Sequence, residues 1–150
     1  MDSRRKGYTL AEMLTVIVIL GILANIAIPL LHRARMEAEA TRIIADYGTI
    51  RHAALHHIAN GADYPPTEGW AVVPADLVDD LPPGFAFQYG DTDYRWRQWS
   101  GGSSLRRRTS GKGLVAVEIR SENAKILQEV RNRFGGTSFG SGNRLTLIIE

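Results

Sequence analysis

A long apolar run lies near the start of the chain. Residues 13–31 carry no charge, and Thr15, Gly21, Asn25 and Pro29 are the positions that interrupt their apolar character. The length of this run is close to the roughly 20 residues with which an α-helix crosses a bilayer. The pattern therefore predicts a membrane-spanning helix.

After Pro29 the apolar positions follow the three- and four-residue spacing of an amphipathic helix. The apolar face of this second stretch consists of Ile43, Ile44, Tyr47, Ile50, Ala54, Leu55 and Ile58. Asn60 and Gly61 follow as a helix stop. We therefore predict one helix over residues 8–60. Its weakest positions are Gly21 and Pro29, where a kink is the simplest expectation.

Short strands are predicted in the remainder of the chain, residues 61–150. Alternating aromatic and polar residues predict two strands, at 86–89 and 94–99, that are joined by a turn. Apolar and β-branched runs predict two more strands, at 114–120 and 144–150. Their short spacing favours an antiparallel sheet.

One further helix is predicted between the last two strands. Ser121 is its expected N-cap and Gly135 its expected stop, and its apolar stripe is Ile126, Leu127 and Val130. A short helix is predicted near residues 74–80 and a Gly/Ser/Arg-rich loop at 101–113. The predicted fold is α+β: a long helix packs on a small antiparallel sheet with one extra helix.

Composition limits the classes of protein that fit. A chain of 150 residues suits one domain with an appendage, and the absence of cysteine excludes both disulfides and thiolate zinc sites. The formal charge of +2 and the pI near 9.1 hint at acidic partners.

A secretory signal peptide and a plain membrane anchor are the two simplest explanations of the apolar run, and neither accounts for all of its features. A secretory signal peptide has a shorter apolar core and a small-residue cleavage site, whereas the charged, alanine-rich stretch "HRARMEAEATRIIADYG" follows here. A plain membrane anchor does not explain Glu12, because an unpaired charge at membrane depth is costly. The alternative is a Glu12 that lies at the membrane interface without a role.

The segment "KGYTLAEMLTVIVILGILANIAIPLL" resembles the N-terminus of type IV pilins and of the pseudopilins of type II secretion. The family pattern is a basic leader that ends in Gly, then an aromatic residue, a Glu at the fifth mature position, an apolar helix and a Pro. Gly7, Tyr8, Glu12 and Pro29 match these positions in turn.

The resemblance implies processing by a prepilin peptidase on the cytoplasmic side of the inner membrane. The cut would fall between Gly7 and Tyr8, and Tyr8 would be N-methylated. Removal of residues 1–7 takes away a net charge of +2, so the basic pI would belong to the leader and not to the mature protein. The implied parts are a leader, a transmembrane and filament-core helix, an amphipathic second half of the helix and a globular head, over residues 1–7, 8–31, 32–60 and 61–150.

The resemblance also implies a location and a set of partners. The basic leader would keep the N-terminus cytoplasmic and place the head in the periplasm, and later in a periplasmic or surface filament. The partners would be other pilins or pseudopilins, the peptidase and an inner-membrane assembly platform. Glu12 would neutralise the Tyr8 ammonium of a neighbouring subunit and so set the axial register. In family filaments the region between Gly21 and Pro29 can unwind.

Candidate metal and catalytic residues are scarce, and we predict neither an enzyme nor a resident cofactor. His52 and His56 have metal-binding spacing but lack an acidic residue between them, so a solvated helix face is expected. Calcium in the head remains an alternative, because some major pseudopilins bind it there through carboxylates and backbone oxygens. The acidic residues that make this possible are Asp76, Asp79, Asp80, Asp91 and Asp93.

A basic stretch beside two tryptophans provides the rival function. Basic side chains interleaved with aromatic ones suit nucleic acid, and some minor pilins bind DNA during uptake. The alternative is that this stretch pairs with the acidic segment before it, within the head or between subunits. The candidate residues are Arg95, Arg97, Arg106, Arg107, Arg108 and Lys112, beside Trp96 and Trp99. The sequence thus favours a secretion pseudopilin or minor pilin over a DNA-uptake pilin or a membrane-anchored domain that never assembles.

Overall fold

A computed structural model of the chain describes residues 7–99 and 114–149. The chain divides into two compact units, one up to Met36 and the other from Glu37 onward. The predicted loop at 101–113 lies outside the described residues.

The first helix, α1, runs from Leu10 to Ala59 and agrees with the predicted helix to within two residues at each end. It continues through Gly21 and Pro29, which lies inside the helix. Proline lacks the N–H of one helical hydrogen bond, so Pro29 is a weak point even where the helix persists. In the first unit, residues 7–35 are all solvent-exposed.

In the second unit, residues 37–59 of α1 supply one side of the head's core. The buried side chains are Ala40, Ile43, Tyr47, Ile50, Ala53 and Ala54, which recur with helical spacing. Tyr47 also donates from its hydroxyl to the Ile148 carbonyl at 2.7 Å. The predicted amphipathic face is therefore confirmed, while its outlying members Ile44, Leu55 and Ile58 are half-buried.

The described residues form one antiparallel sheet of five strands in the order β1-β2-β3-β5-β4. Two strands are only two residues long. The bounds are β1 Gln88–Tyr89, β2 Thr92–Trp99, β3 Leu114–Ser121, β4 Ser138–Phe139 and β5 Arg144–Ile149. Alternate residues on the long strands give the inner face, where Tyr94, Trp96, Val117, Ile119, Leu145 and Leu147 are almost wholly buried.

The second helix, α2, spans Ala124–Phe134 between β3 and β5. Its apolar stripe and its Gly135 stop are confirmed, since Ile126, Leu127 and Val130 are buried and Gly135 caps the C-terminus with a φ of 57°. The predicted N-cap is wrong. Ser121 ends β3 and is buried, whereas Asn123 accepts a hydrogen bond from the Lys125 amide at 3.1 Å. The α+β fold class is confirmed.

Two other local predictions need correction. The first predicted strand at 86–89 contracts to two paired residues, because the chain still turns at Phe85, whose amide donates to the Pro82 carbonyl. The short helix expected near 74–80 is a single 3-10 turn at Ala75–Leu77, which buries Leu77.

Candidate functional site

The start of α1 is a capping box that fixes Glu12. The Thr9 backbone amide and hydroxyl donate to Glu12 Oε2 at 2.8 and 2.9 Å. In return the Glu12 amide donates to Thr9 Oγ1 at 3.2 Å. This reciprocal arrangement satisfies two amides that an uncapped helix start would leave without partners. Our sequence analysis missed the role of Thr9, although the Thr-x-x-Glu spacing was a sufficient signal.

The same geometry leaves one carboxylate oxygen available. Both hydrogen bonds from Thr9 go to Oε2, and Oε1 accepts none from the described residues. Tyr8 immediately precedes the cap, and its side chain is 78% exposed. A negative charge at this end of a helix is also favoured by the helix dipole. An external cation can therefore bind beside Glu12 Oε1 while Oε2 keeps its hydrogen bonds from Thr9.

An exposed apolar surface follows this capped carboxylate. Over the described residues, α1 is the one helix long and apolar enough to span a membrane. Its most apolar 18 residues have a mean hydropathy of 2.6, and none of them is buried. Within residues 8–31, Glu12 is the single charged side chain. Such a surface needs a cover, which can be lipid or other apolar helices.

Among the described residues, nothing packs closely enough against Gly7 or Gly21 to require glycine there. A Cβ atom added at either position would meet no neighbouring atom within 4 Å. Of the predicted leader, residues 1–7, all but Gly7 lie outside the described residues. A requirement for glycine at position 7 would therefore come from an external partner.

The described part of the basic stretch makes contacts inside the head. Arg95 forms a hydrogen-bonded ion pair with Glu118, and Arg97 Nε lies 3.7 Å from the same carboxylate. Trp96 is fully buried and donates to the Pro65 carbonyl at 2.8 Å. The Arg97 guanidinium lies 4.9 Å from the centre of the Trp99 ring. Arg106, Arg107, Arg108 and Lys112 lie outside the described residues.

The acidic segment 63–93 does not provide the counter-charge for Arg95 and Arg97. Glu118, on the neighbouring strand β3, has that role, because the β2–β3 register places it opposite Arg95. Asp93 instead pairs with Arg120, its own cross-strand partner. The alternative that the basic stretch pairs with the acidic segment before it is therefore wrong for Arg95 and Arg97, which pair with Glu118 instead.

Comparison with known proteins gives matches to the N-terminal part of the chain. The family model described as the prokaryotic N-terminal methylation motif matches residues 2–27. Type II secretion system core protein G of Klebsiella pneumoniae is 34% identical over 66 residues, which are 44% of this chain and 47% of that protein. In its N-terminal segment the chain is thus similar to type IV pilins and to the pseudopilins of type II secretion.

A second pilin relative shows the same limited extent of similarity. The type IV major fimbrial protein FimA of Dichelobacter nodosus is 40% identical over 63 residues, which are 42% of this chain and 40% of that protein. The chain thus matches less than half the length of these curated relatives. Comparison with the solved structures gave no match.

His56 and His57, near the end of α1, contact Asp80. The Nδ1 atoms of His56 and His57 lie 2.6 and 3.0 Å from the two oxygens of Asp80. The hydrogen bond from His56, supported by that from His57, lowers the pKa of Asp80 below its ordinary value. Over residues 7–99 and 114–149, no group of three or more His, Asp or Glu side chains is placed to hold a metal ion. The two contacts with His56 and His57 connect Asp80, which follows the 3-10 turn, to the end of α1.

Proposed function

We propose that this chain is a structural subunit of a type IV pilin-like filament, more specifically a pseudopilin of type II secretion or a minor pilin. The observation that carries the proposal is a single carboxylate, Glu12, held at the start of an exposed apolar helix with one oxygen unused. The proposed role is structural and includes no catalytic step.

Maturation would create the partner of that carboxylate. Cleavage by a prepilin peptidase between Gly7 and Tyr8 leaves an ammonium on Tyr8, and N-methylation keeps its positive charge. The basic leader holds this end on the cytoplasmic side, and the head faces the periplasm. The processed subunit is then passed from the inner membrane into the filament by an assembly platform.

Assembly would bury an ion pair between neighbouring subunits. The Tyr8 ammonium of one subunit lies beside Glu12 Oε1 of the next, while Oε2 stays bound to Thr9. In apolar surroundings either charge alone is strongly unfavourable, so a wrong axial offset is penalised more than the correct offset is stabilised. The capping box supports this role because it removes most of the freedom of the Glu12 side chain before assembly.

The decisive variant is Glu12→Gln. Glutamine can still close a capping box, so the start of the helix is kept while the negative charge is lost. We expect a processed, membrane-bound protein whose filament yield falls by about two orders of magnitude, because the neighbour's ammonium is left unpaired. Filaments are measured by shearing and the mature band by immunoblot, in cells that contain the peptidase and the platform. Normal filaments from processed Glu12→Gln would refute the proposed role.

The alternative, a DNA-binding uptake pilin, requires basic residues other than Arg95 and Arg97. Arg95 and Arg97 already share Glu118, and the buried ring of Trp96 has no face to offer a base. Binding of duplex DNA by the full chain at low salt, and its loss when Arg106, Arg107 and Arg108 become alanine, would favour this alternative.

A further inference from the structure

A cavity of about 240 Å³ lies at one end of the head, beside Tyr94 on the inner side of the sheet. It is bordered by α1, by the turn between β1 and β2 and by the start of α2, and we call it the head cavity. Ile43 of α1 and Ile126 of α2 supply apolar parts of its wall. Pockets for drug-sized ligands measure roughly 300–1,000 Å³, so the head cavity suits a smaller group, about the size of one side chain.

Two buried hydroxyl side chains lie next to each other at the head cavity. Thr92 and Ser121 are cross-strand partners on β2 and β3, both line the cavity, and they are 8% and 1% exposed. Ser121 Oγ accepts a hydrogen bond from the Asn123 amide at 3.3 Å. The Thr92 hydroxyl has no hydrogen-bond partner among the described residues. Because a buried polar group without a partner is unfavourable, a ligand that forms a hydrogen bond with Thr92 Oγ1 would be stabilised there.

The charges at the head cavity determine the sign of the ligand that fits. Glu39, Arg42 and Asp91 are the charged side chains that line it. The Arg42 guanidinium lies 3.0 Å from the centre of the Tyr89 ring, and its Nε lies 3.6 Å from Asp46, which balances its charge. Glu39 and Asp91 are exposed, and within the described part of the chain neither has an ion pair or a hydrogen bond. The charge left unbalanced at the cavity is therefore negative.

Neighbouring charges do not reverse this balance. Asp91 also lines a second depression, where Asp93 and Arg120 form an ion pair and Glu122 adds a further carboxylate. The partial positive charge at the start of α2 is already met by the N-cap side chain of that helix. Lys125, in the first turn of α2, is exposed and lines neither depression. The surroundings thus favour a cation at the head cavity.

We propose that the head cavity binds a primary ammonium group at the end of an aliphatic chain, either a lysine side chain of a partner protein or a free alkylamine. The ammonium donates to Thr92 Oγ1 and is attracted by the carboxylates of Glu39 and Asp91. Ile43 and Ile126 contact the aliphatic part. An ammonium group has three donors and no acceptor, so it matches a site of hydroxyl and carboxylate oxygens. The inference does not depend on the proposed filament role.

Amide NMR spectra of the full chain in detergent test the binding during titration with n-butylammonium. We expect saturable shifts at residues 90–92 and 121–123. The control ligands are n-butanol, which has the same chain without a charge, and tetramethylammonium, which has the charge without an N–H donor. Both should bind at least about ten-fold more weakly, because charge and donor act together. Equal binding of either control, tighter binding of Ca²⁺, or the absence of saturable shifts would overturn the proposal.

Thr92→Val separates binding from folding, because valine has a similar shape and lacks the hydroxyl. Since that hydroxyl has no partner in the described chain, the variant should unfold at the same temperature as wild type or at a higher one. Its binding of butylammonium should nevertheless weaken about five-fold, and Asp91→Asn should have a similar effect. Thr146→Val is the matched control, because Thr146 is also buried but does not line the cavity, and it should bind as wild type does. Unchanged binding by Thr92→Val and Asp91→Asn would overturn the proposal.

Two short peptides distinguish the possible sources of the ammonium. One is an acetylated and amidated glycine-lysine-glycine peptide, and the other carries norleucine in place of lysine. Tighter binding of the lysine peptide than of butylammonium would assign the head cavity to a lysine of a partner protein, and weaker binding would assign it to a free amine. The norleucine peptide should not bind in either case. Equal binding of the two peptides would overturn the proposal, because the ammonium would then contribute nothing.

Discussion

At the scale of single residues, the first turn of α1 combines an observed local role with a proposed intermolecular one. Glu12 closes a capping box with Thr9 through one carboxylate oxygen and keeps the other oxygen free within the described chain. The sequence motif identified Gly7, Tyr8 and Glu12 as the candidate residues. It did not identify Thr9, because the motif describes Glu12 as the partner of another subunit and carries no information on hydrogen bonds within the chain.

Gly7 offers a test of processing that is independent of folding. A Cβ at this position meets nothing in the structure, so Gly7→Leu should leave the fold unchanged. We expect a bulky side chain before the cut to crowd the peptidase and to leave most of the protein as precursor. Mass spectrometry of the membrane fraction measures the cut, with Gly7→Ala as the smaller control. Mature Gly7→Leu at the wild-type level would show that glycine is not required there.

Asp80 gives a prediction on pH. Its pKa is lowered chiefly by the hydrogen bond from His56, so its contribution to stability is present above the ordinary aspartate pKa of about 4 and is lost as the pH falls through the lower folded value. Asp80→Asn should therefore lower the Tm by a few degrees at pH 7 and by much less near pH 2. Thermal unfolding of the full chain in detergent measures this. Asp79→Asn is the exposed control, and an equal loss at both pH values would contradict the account.

At the scale of elements, the periodicity of apolar residues predicted the long helices and strands, whereas the short elements and the N-cap of α2 were not predicted correctly. The change from an unbroken apolar run to helical spacing predicted α1. Alternation predicted the long strand β2, and apolar, β-branched runs predicted β3 and β5. The two-residue strand β4 is too short to show a period. The pairing of Arg95 with Glu118 depends on the β2–β3 register, which no local pattern determines.

The N-cap of α2 shows how a neighbouring strand overrides a local signal. Ser121 is a good capping residue, but its pairing opposite Thr92 makes it the last residue of β3. Asn123→Ala should thus destabilise the chain by about 1 kcal/mol, because the Lys125 amide loses its partner. Asn123→Asp is the matched control, since aspartate also caps well. Denaturant unfolding measures the change, and equal stability of Asn123→Ala and wild type would argue against this cap.

At the scale of the whole molecule, the chain has two parts whose surfaces differ. The N-terminal part of α1 presents an exposed apolar surface with one capped acid, and the second unit folds around its own buried core. Similarity to the pilin relatives covers less than half of their length. A specific role of the head must therefore be argued from the structure of the head itself.

The most direct test of the central claim is the structure of the assembled filament. We predict that the Tyr8 nitrogen of one subunit lies within about 4 Å of the Glu12 carboxylate of a neighbour, the usual distance of an ion pair. Thr9 should remain bound to the other oxygen of that carboxylate. A filament in which Glu12 contacts its own subunit alone, with every Tyr8 nitrogen distant from a carboxylate, would contradict the account.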